Sequence, residues 1–135
     1  MKALKVSTDN KREVVDFSKA ISLDVLSEAV GGFIERVHLP SLGIDMWVNE
    51  EGKYAGEIVQ NPMATALWVE NYGPTDVMVG NVIFTGGANL GGETLGLTDE
   101  QLATLLAYEK SVTVPNLNIE DYLRITVTDF DGNPL

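Results

Sequence analysis

Arg36, His38, Asp45 and Trp47 are the residues whose types and spacing come closest to a chemical constellation. Phe33, Val37 and Leu39 share one face of the run 33–39, with Glu35 the misfit, and Ile44, Met46 and Val48 alternate with Asp45 and Trp47, while Pro40-Ser41-Leu42-Gly43 between the runs reads as a turn. The two runs therefore predict an antiparallel hairpin. The register set by that turn puts Leu39 opposite Ile44 and Val37 opposite Met46 on one face. On the other face it puts His38 opposite Asp45 and Arg36 opposite Trp47. Cross-strand partners stand about 4.5–5.5 Å apart at Cβ, so a guanidinium, an imidazole, a carboxylate and an indole share one patch. Arg and His can hold a phosphate or carboxylate, and an indole can stack on a base. Two other readings compete: an exposed sheet face with ordinary cross-strand pairs, and a contact between copies of the chain, since Trp and Arg are enriched at interfaces.

Other chemistry is bounded by composition. The chain has 135 residues, no cysteine and a single histidine, His38. Disulfides, thiolate zinc, iron–sulfur clusters, thiol nucleophiles and double-His zinc motifs are excluded. No metal site and no cofactor is expected. The glycines of 86–92 follow a strand-like run, but Glu93 stands where a P-loop needs Lys followed by Ser or Thr, so this segment reads as a flexible loop or lid. Asp129-Phe130-Asp131-Gly132-Asn133 has its glycine too early for a calcium loop, and the sequence stops at Leu135. No Gly-x-Ser-x-Gly elbow occurs, so a hydrolase would have to draw on His38 or on one of many carboxylates. No catalytic residue is assigned, and a non-enzymatic protein is expected.

The elements that position the patch follow from local signals. Residues 2–7 and 12–17 predict a hairpin about Thr8-Asp9-Asn10-Lys11. Ser22 caps a helix over 23–30, whose stripe is Leu23, Leu26 and Val30 and whose stop is Gly31-Gly32. A short strand is expected over 54–59. Asn61-Pro62 opens a deeply buried helix that ends at Gly73-Pro74. Asp76 to Thr85 reads as a strand with Gly80 inside it. Thr98 to Gln101 is a capping box opening a helix with the stripe Leu102, Leu105 and Leu106. Residues 122–130 alternate as a last strand. These elements predict an α+β fold, a mixed but mostly antiparallel sheet with about three helices packed on it. Residues 1–110 read as one domain, and residues 111–135 as an extension that adds a strand to it.

Charge sorts the partners. Residues 1–60 carry seven basic and ten acidic side chains, and residues 61–135 carry two basic and ten acidic, giving a net charge of −11. Direct nucleic-acid binding and anionic membranes are disfavoured, because both are driven by Lys and Arg. The charge itself serves solubility first, with a polyanion mimic as the sharper reading. Polar residues follow the first lysines, and no apolar run is long enough to cross a bilayer, so a cytoplasmic protein is expected.

Several stretches together resemble the family of domain of unknown function 3846, small proteins encoded mostly by phages and mobile elements of bacteria. They are Val30-Gly31-Gly32-Phe33-Ile34-Glu35, Asn49-Glu50-Glu51-Gly52-Lys53, Asn61-Pro62 with Ala64-Thr65, and Asp76 with Gly80-Asn81-Val82. Their order matches over about residues 1–106. The family has no established activity, so the resemblance implies a setting (the cytoplasm of a host cell) and no chemistry. Most of these residues explain themselves as helix stops, turns or caps. Asn49, Glu50 and Thr65 do so least, and they join Arg36, His38 and Trp47 as candidate ligand contacts. The reading that results is a small phage-type binding protein, a homo-oligomer that sequesters a nucleotide-like signal. The alternative is an acidic inhibitor docking on a basic host protein, with a hydrolase third.

Overall fold

Asn10 takes a left-handed φ of 68° and closes the turn that folds β1 (Lys2–Val6) against β2 (Arg12–Asp16). The computed structural model describes residues 1–17, 22–32, 34–49 and 59–114. Ser22 then accepts a hydrogen bond from the Val25 N–H at 3.3 Å and starts α1 (Leu23–Val30). Gly31 ends that helix at φ 82°, a conformation that costs a residue with a Cβ. β3 (Ile34–Leu39) and β4 (Ile44–Asn49) form the predicted hairpin in the predicted register, Leu39 opposite Ile44 through Arg36 opposite Trp47.

Asn61 caps α2 (Pro62–Tyr72), and its Pro62 supplies no N–H where none is needed. β5 (Val82–Gly86) follows, and Thr98 opens α3 (Asp99–Leu106) with a complete capping box. The sheet order is β2-β1-β5-β4-β3, and every pair is antiparallel. An α+β fold with three helices on a five-stranded sheet is thus what the described residues form.

The sheet is apolar on both faces. Leu4, Val37, Met46 and Phe84 on one face pack with Met63 and Leu67 of α2 and Leu102 and Leu105 of α3. On the other, Ala3, Trp47 and Ile83 pack with Leu26 and Val30 of α1. Phe84 is fully buried, and a side chain of that size contributes about 1.5–3 kcal/mol by leaving water.

Two local expectations are corrected. The run from Asp76 does not form one strand. Gly80 sits at φ 75° and turns the chain, so Val79 makes only an isolated bridge to Gln60 and pairing resumes at Val82. Leu106 does not complete the α3 stripe, because 45% of it is exposed. The glycine segment carries hydrogen bonds of its own that the sequence reading did not foresee: Ala88 makes an isolated bridge to Thr94, Leu95 N–H donates to Gly87 O, and Asn89 Oδ1 accepts from Glu93 N–H at 2.9 Å. Gly86 is needed there because a Cβ would collide with the Gly96 carbonyl. The strands expected over 54–59 and 122–130 fall outside the described residues, apart from Val59.

Candidate functional site

The candidate face is built by three neighbouring strands. β3 is an edge, and alternation sends Ile34, Arg36 and His38 to the α1 side of the sheet. β4 lies beside it and sends Asp45, Trp47 and Asn49 to the same side. β5 follows, with Thr85 directly beside Asp45 and Ile83 beside Trp47. His38, Asp45 and Thr85 therefore form one row across the sheet.

His38 Nδ1 lies 2.9 Å from Asp45 Oδ1. A carboxylate accepts only, so Nδ1 carries the proton, and Nε2 is left at the outer end of the ring. The imidazole is 53% exposed and the carboxylate 3%. Asp45 is a buried side chain whose hydrogen bond to the edge-strand His38 orients the ring. Arg36 stands two residues away on the same strand face and is exposed. Among the described residues its guanidinium makes no hydrogen bond or ion pair.

Trp47 is not available to a ligand as the sequence reading expected. It is 6% exposed, and its indole N–H donates to Thr85 Oγ1 at 2.8 Å. The Thr85 hydroxyl is fully buried and donates in turn to Gly86 O at 3.1 Å. The physical reason is α1, which crosses this face and places Leu26 and Val30 in the same cluster as Trp47. Thr65 is likewise inside the molecule, 1% exposed. Its hydroxyl donates to Asn61 O at 2.9 Å and accepts from Met78 N–H at 3.0 Å. Asn49 is half-buried on the site side, with its amide against Gly32. Glu50 lies outside the described residues.

A concave region elsewhere on the molecule escaped the sequence reading. A cleft of about 580 Å³ is lined by Arg12, Met63, Leu106, Tyr108, Lys110 and Thr113. Its cations are already committed. Arg12 Nη1 donates to Leu105 O and Leu106 O at 2.8 and 2.9 Å, and Nη2 donates to Tyr108 O at 2.6 Å and Asn10 Oδ1 at 3.2 Å. The fork thereby caps the carbonyl end of α3, where positive charge is favoured. Lys110 pairs with Glu70 at 2.7 Å. The Tyr108 hydroxyl is buried with no hydrogen bond of normal geometry, and burial followed by the nearby Glu70 carboxylate pushes its pKa up. No local signal announces this clamp, because Arg12 and the carbonyls it meets are more than ninety residues apart in the chain.

Among the described residues no group of three or more His, Cys, Asp or Glu side chains converges to hold a metal ion. No described helix is long and apolar enough to cross a membrane. The chain belongs to the family described as Domain of unknown function (DUF3846), whose model matches residues 1–112. No curated protein and no solved structure matches it.

Proposed function

We propose that this member of the family is a non-enzymatic binding protein that takes a small anionic, nucleotide-like ligand at the β3 edge, through Arg36 and His38. The observation that carries this reading is the contrast between the two described arginines. Arg12 spends its guanidinium on backbone carbonyls of the protein, whereas the exposed Arg36 makes no hydrogen bond or ion pair among the described residues. Two residues along the same strand face is His38, whose ring Asp45 holds by Nδ1, which leaves Nε2 as the ring's other polar atom beside Arg36. A guanidinium can grip a phosphate with two parallel N–H bonds.

Recognition then runs through the phosphates, since Trp47 is spent on Thr85 and on packing under α1. The net charge of −11 opposes any anion at long range. Screening at physiological salt sets in beyond about 8 Å, so a local pair of donors still dominates at contact. In the phage and mobile-element setting that the family resemblance implies, the ligand would be a host signal nucleotide kept out of circulation by stoichiometric binding.

Thermal denaturation against a panel of mono-, di- and cyclic nucleotides tests the reading. A ligand at a hundred times its Kd adds about 2.7 kcal/mol of stability. That gain is expected for at least one nucleotide and is expected to vanish in Arg36→Ala, which removes an exposed side chain that makes no hydrogen bond or ion pair among the described residues. No shift with any nucleotide, or an undiminished shift in Arg36→Ala, overturns it.

A further inference from the structure

We infer that His38 is a phosphoryl acceptor: its Nε2 takes the phosphoryl group of a small donor carrying a phosphorus–nitrogen bond and holds it beside Arg36. A nucleophilic imidazole needs a lone pair on an accessible nitrogen and a partner for the proton on the other nitrogen. His38 has both. Nδ1 donates to Asp45 Oδ1 at 2.9 Å, so the lone pair lies on Nε2. The carboxylate is 3% exposed and the ring 53%, which puts the partner inside and the nucleophile outside. Thr85, on the other side of Asp45, does not compete for the carboxylate, because its hydroxyl donates to Gly86 O. The Tyr72 hydroxyl donates to His38 O and fixes the backbone that carries the ring.

Arg36 supplies the other half of the site. Alternate residues of a strand stand about 7 Å apart on one face, within reach of an arginine side chain. The Arg36 guanidinium makes no hydrogen bond or ion pair among the described residues, so it is free to turn two N–H donors on a phosphoryl group at Nε2. The inference rests on the reading above only in that Arg36 meets a phosphate. In the step itself, the Nε2 lone pair forms the new bond to phosphorus and the donor's phosphorus–nitrogen bond breaks. The leaving nitrogen departs as ammonia or an amine, with the bonding pair and the protons it already carries. The ring gains positive charge, which the Asp45 carboxylate offsets through the Nδ1 proton. Each chain accepts a single group, so His38 is a stoichiometric acceptor and not a catalyst.

Phosphoramidate is the probe. The full chain is incubated with it, native and unfolded in urea, and read by mass spectrometry at neutral pH and by phosphorus NMR. His38 is the chain's single histidine, so the product is read at one residue. The native protein is expected to gain a single acid-labile phosphoryl group, on Nε2 and not on Nδ1, at least about tenfold faster than the unfolded chain. His38→Gln should gain none. Asp45→Asn and Arg36→Ala, with folding checked by melting curves, should each slow the reaction about tenfold or more. A native chain that gains no acid-labile group, carries it on Nδ1, or reacts no faster than the unfolded chain overturns the inference, even if Asp45→Asn folds poorly. Unchanged rates in both folded variants overturn it as well. Nucleotide-induced thermal shifts of protein never exposed to phosphoramidate report the binding site alone, so failure here stays distinct from failure of that reading.

Discussion

Replacing Asn61 by Asp separates two accounts of why this residue opens α2. Asn61 is fully buried. Its Oδ1 accepts from Ala64 N–H at 3.2 Å, as any cap would. Its Nδ2 donates to Val6 O at 3.1 Å and to Gly80 O at 3.0 Å, tying the end of β1 and the Gly80 turn to the helix start. Losing the cap in Asn61→Ala costs about 1 kcal/mol. Depriving two buried or half-buried carbonyls of their donor adds about 1 kcal/mol or more each, for a total of about 3 kcal/mol. Asn and Asp are equal as caps, so a purely capping role predicts Asn61→Asp near wild type. The amide donor predicts the opposite: the Asp oxygen faces two carbonyls, and the loss should be about 3 kcal/mol or larger. Urea denaturation of the three proteins at pH 7 gives both numbers. An Asp variant within about 0.5 kcal/mol of wild type would refute the reasoning, since that is the scatter of a substitution touching nothing.

Three further outcomes follow from the geometry. Arg12→Lys keeps the charge but loses the fork that reaches the carbonyls of Leu105, Leu106 and Tyr108, so amide exchange in 105–108 should rise before exchange in β5 does. Thr85→Val leaves the buried Trp47 indole N–H without an acceptor, costing about 1–3 kcal/mol in chemical denaturation while a size-matched exposed change costs nothing. The Tyr108 hydroxyl is held above its ordinary 10.0 by burial and then by Glu70. The unfolded chain ionises first, so this group's share of stability is complete below pH 10 and declines as pH rises past it. Tyr108→Phe should flatten that alkaline decline in a pH series of melting curves.

Where the fold was legible, the signal was local. Ser22, Asn61-Pro62 and Thr98 announce helix starts because the acceptor and the N–H it satisfies lie within three residues. The β3–β4 register was legible because a short turn leaves one phase that buries Val37, Leu39, Ile44 and Met46 together. What failed to show was set by contacts distant in sequence. Period-two alternation assigns Trp47 to a face, yet it does not say whether a helix crosses that face, and α1 does. The Val-rich run through Met78 and Val79 looks extended because its side chains are buried, but the Gly80 turn interrupts the pairing. Arg12 lies on the β1–β2 hairpin, and no neighbouring residue marks the carbonyl end of α3 that meets it. The candidate site was half visible: sequence supplied Arg36, His38 and Asp45 as neighbours, and packing removed Trp47 and Thr65 from it.

The most direct measurement of the central claim is a side-chain nitrogen–proton correlation spectrum of the full chain titrated with inorganic pyrophosphate, read at arginine and histidine. The account predicts saturable shifts of the Arg36 guanidinium and the His38 ring with the amides of β3, while the Arg12 guanidinium stays where it is. Shifts centred on Arg12 and the 106–113 cleft, or none that saturate at Arg36, would contradict it.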